Sequence, residues 1–312
     1  MNNQKSFHQI LYEICLNQKI NLKELSFGWI FELEKNGKIR HIIGSRFDMN
    51  YEASGNIACD KFATFEVLKS HNVPVVKHTI LFNPNTRSNY VPESGNSKII
   101  SSEFKRNGSL VVKPNTGSEG QGVFLCHSLK ETESAVLKLF KRNDSIDICP
   151  YYDIKTEFRT FYLNGKILLI YAKCKPFVVG NGVDSLGVLI NNLDLPDTPV
   201  SHDNLKKLDL LYVPKQDEIV EISWKHNLSG GATPQILEKS DLYSKIESLA
   251  LDAGNAMNMS FATIDIIQTT DNNFYVLEIN SGIGTSQFIK TAPNGFEIMK
   301  KVYSKALEEM FK

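Results

Sequence analysis

The sequence predicts an α+β protein built mainly from antiparallel hairpins. Three observations carry this. Apolar runs of strand length are joined by hairpin turns, at Asn36-Gly37, at Asn164-Gly165 and through Asp271-Asn272-Asn273. Amphipathic helical stretches open and close the chain. The elements between them lack the steady βαβ alternation of a doubly wound parallel sheet.

The elements follow in order. Residues 1–20 place Phe7, Ile10, Leu11, Ile14 and Cys15 at helical spacing. Trp29–Leu33 and Ile39–Ile43 flank the first hairpin turn. Asp60 is positioned to cap a helix through Phe62, Phe65 and Leu68, and Val73-Pro74 opens an extended segment. Ser97 is the expected cap of a short helix ending near Gly108. Leu110–Pro114 reads as a strand, Asn115–Gly122 as a Gly-rich turn and Val123–Cys126 as the return strand. Ser128 with Glu131 makes a capping box for a helix to about Arg142. Ile146–Cys149 is a short strand, and Glu157–Leu163 with Ile167–Lys173 form the second hairpin. Residues 175–235 are loop-rich. Leu242–Met257 is helical, Ala262–Gln268 and Phe274–Ile279 pair as the third hairpin, and Phe296–Phe311 is the closing helix.

The 312 residues are 42% apolar and 22% charged, with 35 basic and 35 acidic side chains, so the formal net charge is zero. That balance does not favour a nucleic acid or an acidic membrane as partner. No apolar run approaches the ~18 residues of a membrane-spanning helix, and the N-terminal stretch lacks the apolar core of a signal peptide. Five scattered cysteines with no CxxC suit free thiols in a reducing compartment, so a cytoplasmic location is expected.

Several stretches offer chemistry. Asp265 interrupts an apolar strand, where an unpaired charge is costly. Glu278 and Asn280 end the next strand on one face, and hairpin pairing would bring the three oxygen-bearing side chains together. Clustered carboxylates need a cation, and Mg²⁺ takes oxygen ligands at ~2.0–2.1 Å, commonly carboxylates plus phosphates. Lys113 precedes the Gly-rich turn, where backbone N–H groups can approach phosphate. Neither a Walker A motif nor GxGxxG is present. Lys61 at a helix start is misplaced for the dipole unless an anion lies there. Glu157 and Arg159 share a strand face, and Lys173 closes the partner strand. Lys225–Thr233 reads as a turn or as an anion-binding loop, with His226 a candidate general base. Each feature alone is also what a solvated turn or a surface ion pair would show.

Their order is more specific. Asp60-Lys61, VVKPNTGSEGQGV, the Glu157/Arg159 strand, KPFVVGNGVDSLGVLI, HNLSGGA and Asp265…Glu278-x-Asn280 together resemble the ATP-grasp superfamily over about residues 55–310. Within it the chain is most similar to the branch of cyanophycin synthetase, bifunctional glutathione synthetase and the ribosomal-protein glutamate ligase. Phe177–Gly182 and Asn227–Gly231 are the most branch-specific pieces.

The resemblance implies an ATP-grasp fold, two α+β lobes clasping ATP, with a truncated N-terminal domain. It implies a reduced N-terminal helix-hairpin region over 1–58, a linker helix over 59–105, a small lid lobe over 106–152 and a large lobe over 153–312. Lys61 and Lys113 would hold ATP phosphates. The loop of Gly117, Ser118, Glu119, Gly120, Gln121 and Gly122 would close over them. Cys149, Pro150, Tyr151 and Tyr152 would face adenine, and Glu157 would bind ribose. Asp265, Glu278 and Asn280 would hold two Mg²⁺ ions, with Mn²⁺ as an alternative. Arg159 and Lys173 would stabilise phosphoryl charge, and Asn227 would line the acceptor side. The implied reaction joins a carboxylate to an amine, on an amino acid, peptide or protein, through an acyl phosphate. A phosphotransferase, a thiol ligase and a non-catalytic nucleotide-binding scaffold are the alternatives. Only 60 residues precede Lys61, so the surface that selects the acid is open. A homodimer partner or a peptide substrate could complete it.

Overall fold

The computed structural model describes residues 3–117, 120–193 and 208–312. In chain order the elements are α1 (Asn3–Gln18), β1 (Asn21–Leu25), β2 (Ile30–Lys35), β3 (Lys38–Ile43), β4 (Arg46–Phe47), α2 (Glu52–Ala58), α3 (Lys61–Ser70) and β5 (Thr79–Phe82). Next come α4 (Gly95–Asn107), β6 (Leu110–Pro114), β7 (Phe124–Cys126), α5 (Leu129–Phe140), β8 (Ser145–Pro150), β9 (Ile154–Leu163), β10 (Lys166–Cys174), β11 (Phe177–Val179) and α6 (Leu186–Asn191). The chain closes with β12 (Ile219–Glu221), β13 (Thr233–Ile236), α7 (Asp241–Ala256), β14 (Phe261–Thr269), β15 (Phe274–Asn280), α8 (Ser286–Thr291) and α9 (Gly295–Met310).

Two antiparallel sheets organise the molecule. The larger runs β13-β10-β9-β14-β15 and the smaller β5-β8-β6-β7. On the larger sheet β14 lies between β9 and β15, all but one of its residues are buried, and its run of β-branched and aromatic side chains suits a strand covered on both faces. One face packs on α7, where Ile246, Ala250 and Ala253 are fully buried. The other packs on α1 and α9 through Ile10, Leu11, Met299 and Tyr303.

The N-terminal region is larger and less separate than its sequence suggests. It forms a four-stranded sheet, β1-β2-β3-β4, rather than one hairpin. Its core is continuous with the large lobe: Phe47 stacks on Tyr303 with ring centroids 5.5 Å apart. Gln18 donates to the Ser304 hydroxyl at 2.8 Å, and Arg40 to the Met310 carbonyl at 3.1 Å. Burying these aromatic faces outweighs any preference for a free-standing hairpin, which is marginal in water.

The small lobe also begins earlier than expected. β5 pairs with β8, and Ile100 of α4 shares a core with Leu110, Val112 and Ile148. Residues 79–107 therefore pack with the lobe rather than bridge to it. Ser97 lies inside α4 and is not its cap. Ser94 holds the cap position without a side-chain hydrogen bond. The other caps sit where the sequence puts them: Asp60 accepts from the Ala63 amide at 2.8 Å and Ser128 from the Glu131 amide at 3.2 Å.

Candidate active site

The two main sheets face each other across a cleft of about 970 Å³. One end is apolar. Val76, Val111, Tyr152, Trp224, Ile267 and Leu277 belong to one cluster lining it. Tyr151 meets Trp224 edge-on at 6.3 Å. A flat heterocycle fits such a slot, with the backbone of Cys149, Pro150, Tyr151 and Tyr152 along one wall.

The other end is charged, and Lys61 at the start of α3 and Lys113 on β6 supply cations. Asp60 caps α3 and also accepts from the Asn115 side-chain amide at 2.7 Å. The Asn115 carboxamide oxygen in turn accepts from the Phe62 backbone at 3.1 Å. This ties the start of α3 to the end of β6 and brings Lys61 beside the Gly-rich loop, where its ammonium donates to the Gly117 carbonyl at 3.1 Å. Lys113, on the central strand β6, lies 3.7 Å from Asp147 of β8. Asp147 also accepts from His78 Nδ1 at 2.7 Å, and its Oδ1 is buried with no partner.

The two lysines respond differently to this setting. Burial lowers the pKa of Lys61, Glu278 works against that, and Lys113 adds repulsion. Burial also opposes the charge on Lys113, but its anionic neighbours, Asp147 and Glu278 among them, outweigh it and raise its pKa. Burial and the nearby Lys113 lower the pKa of His78, so a neutral imidazole donates to Asp147.

The large lobe faces them with a closed ionic group. Arg159 grips Asp265 with two hydrogen bonds, of 2.7 and 2.6 Å. Lys173 donates to Asp265 at 2.9 Å and to Glu157, its cross-strand partner. Antiparallel register dictates the cluster: Arg159 stands opposite both Tyr171 and Asp265, while Lys173 stands opposite Glu157. Burial alone would raise the pKa of Asp265, but Arg159 and Lys173 hold it well below the usual carboxylate range. Burial and Arg159 would lower that of Lys173, yet Asp265 and Glu157 raise it to about 12.

Glu278 and Asn280 share a face, as alternation requires, and Asn280 donates to Glu278 at 3.2 Å. Both line the cleft, and Glu278 acts electrostatically on Lys61 and Lys113. Asp265 stands opposite Glu278 in the register but is fully buried, with both oxygens committed to Arg159 and Lys173. The oxygen donors of Glu278 and Asn280 therefore fit a hard divalent cation directly. Asp265 could join them only by exchanging a cationic partner for the ion.

Gly117, Gly120, Gln121, Glu157, Arg159, Lys173 and Asn227 also line the cleft. Gly122 packs instead against Pro114 and Leu139. Ser118 and Glu119 lie outside the described residues. His226 is buried and donates from Nδ1 to the Lys173 carbonyl at 2.8 Å. Asn227 caps the turn after it and lies close to Gly120.

Sequence reasoning missed His78, Asp147, Trp224 and Arg46. Asp147 carried the signal that exposed Asp265, a carboxylate inside an apolar strand. The other three gave none, because chain folding alone brings them to the cleft.

Residues 219–304 match the family model of a RimK-like ATP-grasp domain. The cyanophycin synthetase of Trichormus variabilis is 24% identical over 231 residues, which is 68% of this chain and 24% of that protein. The chain thus spans about a quarter of the length of that curated relative. Among solved structures, the bifunctional glutathione synthetase of Pasteurella multocida superposes with a TM-score of 0.57 at 18% identity, over 97% of this chain and 43% of that one. The D-alanine–D-alanine ligase of Bacillus anthracis does so with a TM-score of 0.55 at 17% identity, over 84% and 69%. With the paired sheets, Lys61, Lys113 and the Glu278-x-Asn280 strand end already in place, the chain has an ATP-grasp fold, and its residues 219–304 match a RimK-like ATP-grasp domain.

Proposed function

We propose that this chain is an ATP-dependent carboxylate–amine ligase that forms an amide or peptide bond with release of ADP and phosphate. One observation carries the reading: a single cleft has an apolar slot at one end and, at the other, Lys61 and Lys113 facing Glu278 and Asn280. That arrangement suits a nucleoside triphosphate. The relatives named above are synthetases and ligases, which supports the same reading.

In the first step a substrate carboxylate oxygen attacks the γ-phosphorus, the bond to the β-phosphate oxygen breaks, and ADP leaves from an acyl phosphate. In the second an amine attacks the acyl carbon, phosphate leaves, and the amine loses a proton. The chain's task is positioning and charge neutralisation. Lys61 and Lys113 hold phosphate oxygens, and the loop bearing Gly117, Gly120, Gln121 and Gly122 covers them. The Cys149–Tyr152 backbone faces adenine, and Glu157 is placed for the ribose. Arg159 and Lys173 stabilise the charge that develops during transfer, with Asp265 holding both in place. Asn227 lines the acceptor side. Glu278 and Asn280 would hold Mg²⁺, with Asp265 as a further ligand once Lys173 turns to phosphate. The ion would neutralise phosphate charge. Free thiols at all five cysteines accord with a cytoplasmic location.

The test is to incubate the protein with ATP, Mg²⁺ and pooled amino acids and short peptides, and to read products by mass spectrometry. ADP with a product lighter than its two substrates by one water is the expected result. AMP in place of ADP would refute the acyl-phosphate route.

A further inference from the structure

The N-terminal sheet reaches the cleft through Ser45 and Arg46. Arg46, on β4, forms an isolated antiparallel bridge with Gly282, two residues beyond Asn280. The Ser45 carbonyl accepts from the Ile283 amide at 2.9 Å, which fixes the crossing. Gly282 makes it feasible. A Cβ there would stand 3.2 Å from the Ser45 hydroxyl, 3.4 Å from Arg46 Cγ and 3.7 Å from its Nε. The Arg46 side chain therefore lies against Gly282, two residues past the end of β15, and it lines the cleft.

Its bonding sets it apart from the other cations there. Lys113 has Asp147, Arg159 has Asp265, and Lys173 has both Glu157 and Asp265. Lys61 donates to carbonyl oxygens of the Gly-rich loop. Lys225 reaches toward the Gly120 carbonyl and lies over the Trp224 ring. The Arg46 guanidinium, exposed to solvent, has one described polar contact, an Nη2–H donated to the Cys59 thiol at 3.0 Å. Sulfur is a weak acceptor, and a guanidinium offers five donors in a planar fork that matches a carboxylate. Ser281, Ser286 and Gln287 line the same cleft with uncharged polar groups.

We infer that Arg46 anchors a carboxylate of the amino-acid substrate that the reaction does not consume. This rests on the ligase reading and adds a substrate class to it: an α-amino acid whose own carboxylate is free, held beside the transferring phosphate by a residue of the N-terminal sheet. It also gives that sheet a task, the selection of substrate.

The experiment compares the wild type with Arg46→Gln and Arg46→Lys, each saturated with a non-hydrolysable ATP analogue and Mg²⁺. Saturation-transfer NMR is recorded against the pooled free amino acids and against the same set as C-terminal amides. The wild type should prefer at least one free acid over its amide by roughly ten- to a hundredfold, the worth of a charge-assisted hydrogen-bonded pair. Arg46→Gln should lose that preference, and Arg46→Lys should keep only part of it. Binding of the nucleotide analogue should be unchanged in both variants, which separates the effect from misfolding. A wild type with no preference, or an Arg46→Gln variant with the full one, would overturn the assignment. ADP formation with ATP in parallel samples reports on the ligase reading separately. A preference that depends on Arg46 without ADP would sink the ligase and leave the carboxylate site standing.

Discussion

Two charge clusters face each other across the cleft, made of similar residues and finished differently. In the large lobe, Arg159 and Lys173 are matched by Asp265 and Glu157, and every charged group has a charged partner. On the other side, Lys113 pairs with Asp147, which also serves His78 and keeps one oxygen unpartnered, while Lys61 donates only to backbone carbonyls among the described residues. A buried charge pair is weak evidence for net stability, but breaking one leaves an uncompensated ion and is costly. The closed cluster therefore acts as a frame for its strands, whereas Lys61 and Lys113 keep ammonium donors that an anion can take up.

The sharpest way to break this comparison is Asp265→Ala. It should destabilise the protein by about 3–5 kcal/mol, the cost of stranding a buried cation pair, as measured by urea denaturation, and should remove turnover with it. A variant of wild-type stability would show that the cluster frames nothing. Lys113→Met should lower kcat/KM for ATP by roughly 10²–10³-fold, the scale for removing one preorganised electrostatic contact, while losing less stability than Asp265→Ala. Steady-state ADP release and the same denaturation series would measure both. Equal stability losses in the two variants would erase the distinction between the clusters.

Acid provides a milder probe. The folded-state pKa of Asp265 lies below its unfolded value, so its contribution is present above the ordinary carboxylate range, near pH 4, and is lost as pH falls toward the folded value. Wild-type stability should fall below about pH 4 with up to ~1.4 kcal/mol per pH unit from this group, and Asp265→Asn should lack that component. Lys173 gives the opposite limb: its contribution is complete below the ordinary lysine value and is lost as pH rises through about 12. The smallest effect is expected at the cap of α5, where Ser128→Ala should cost about 0.5–2 kcal/mol in thermal or urea melts and leave KM for ATP unchanged. A large change in ATP affinity there would mean that the small lobe transmits strain to Lys113.

Much of the site was legible because its residues sit at strand ends and turns, where local rules apply. Glu278 and Asn280 share a face by alternation alone, and Asp60 is a cap by residue type and position. Lys113 was visible because a charge closes an apolar run before glycines. Asp265 was visible as a buried charge, but its partners were not, since Arg159 and Lys173 meet it through pairings of β9 with β14 and of β9 with β10. Residues 175–235 were opaque because β11, β12 and β13 are short strands whose partners lie far along the chain or were not read as strands.

The sequence by itself determined the hairpins, the amphipathic helices, most helix starts and the polarity of each strand, because periodicity and turn chemistry act over a few residues. Tertiary structure alone decided which strands became neighbours and which charges were paired. It also decided that Arg46 of the N-terminal sheet should lie against Gly282, some 240 residues away in the chain. Those outcomes depend on long-range register and burial, where the free energy of a charge is set by surroundings that no local stretch of sequence contains.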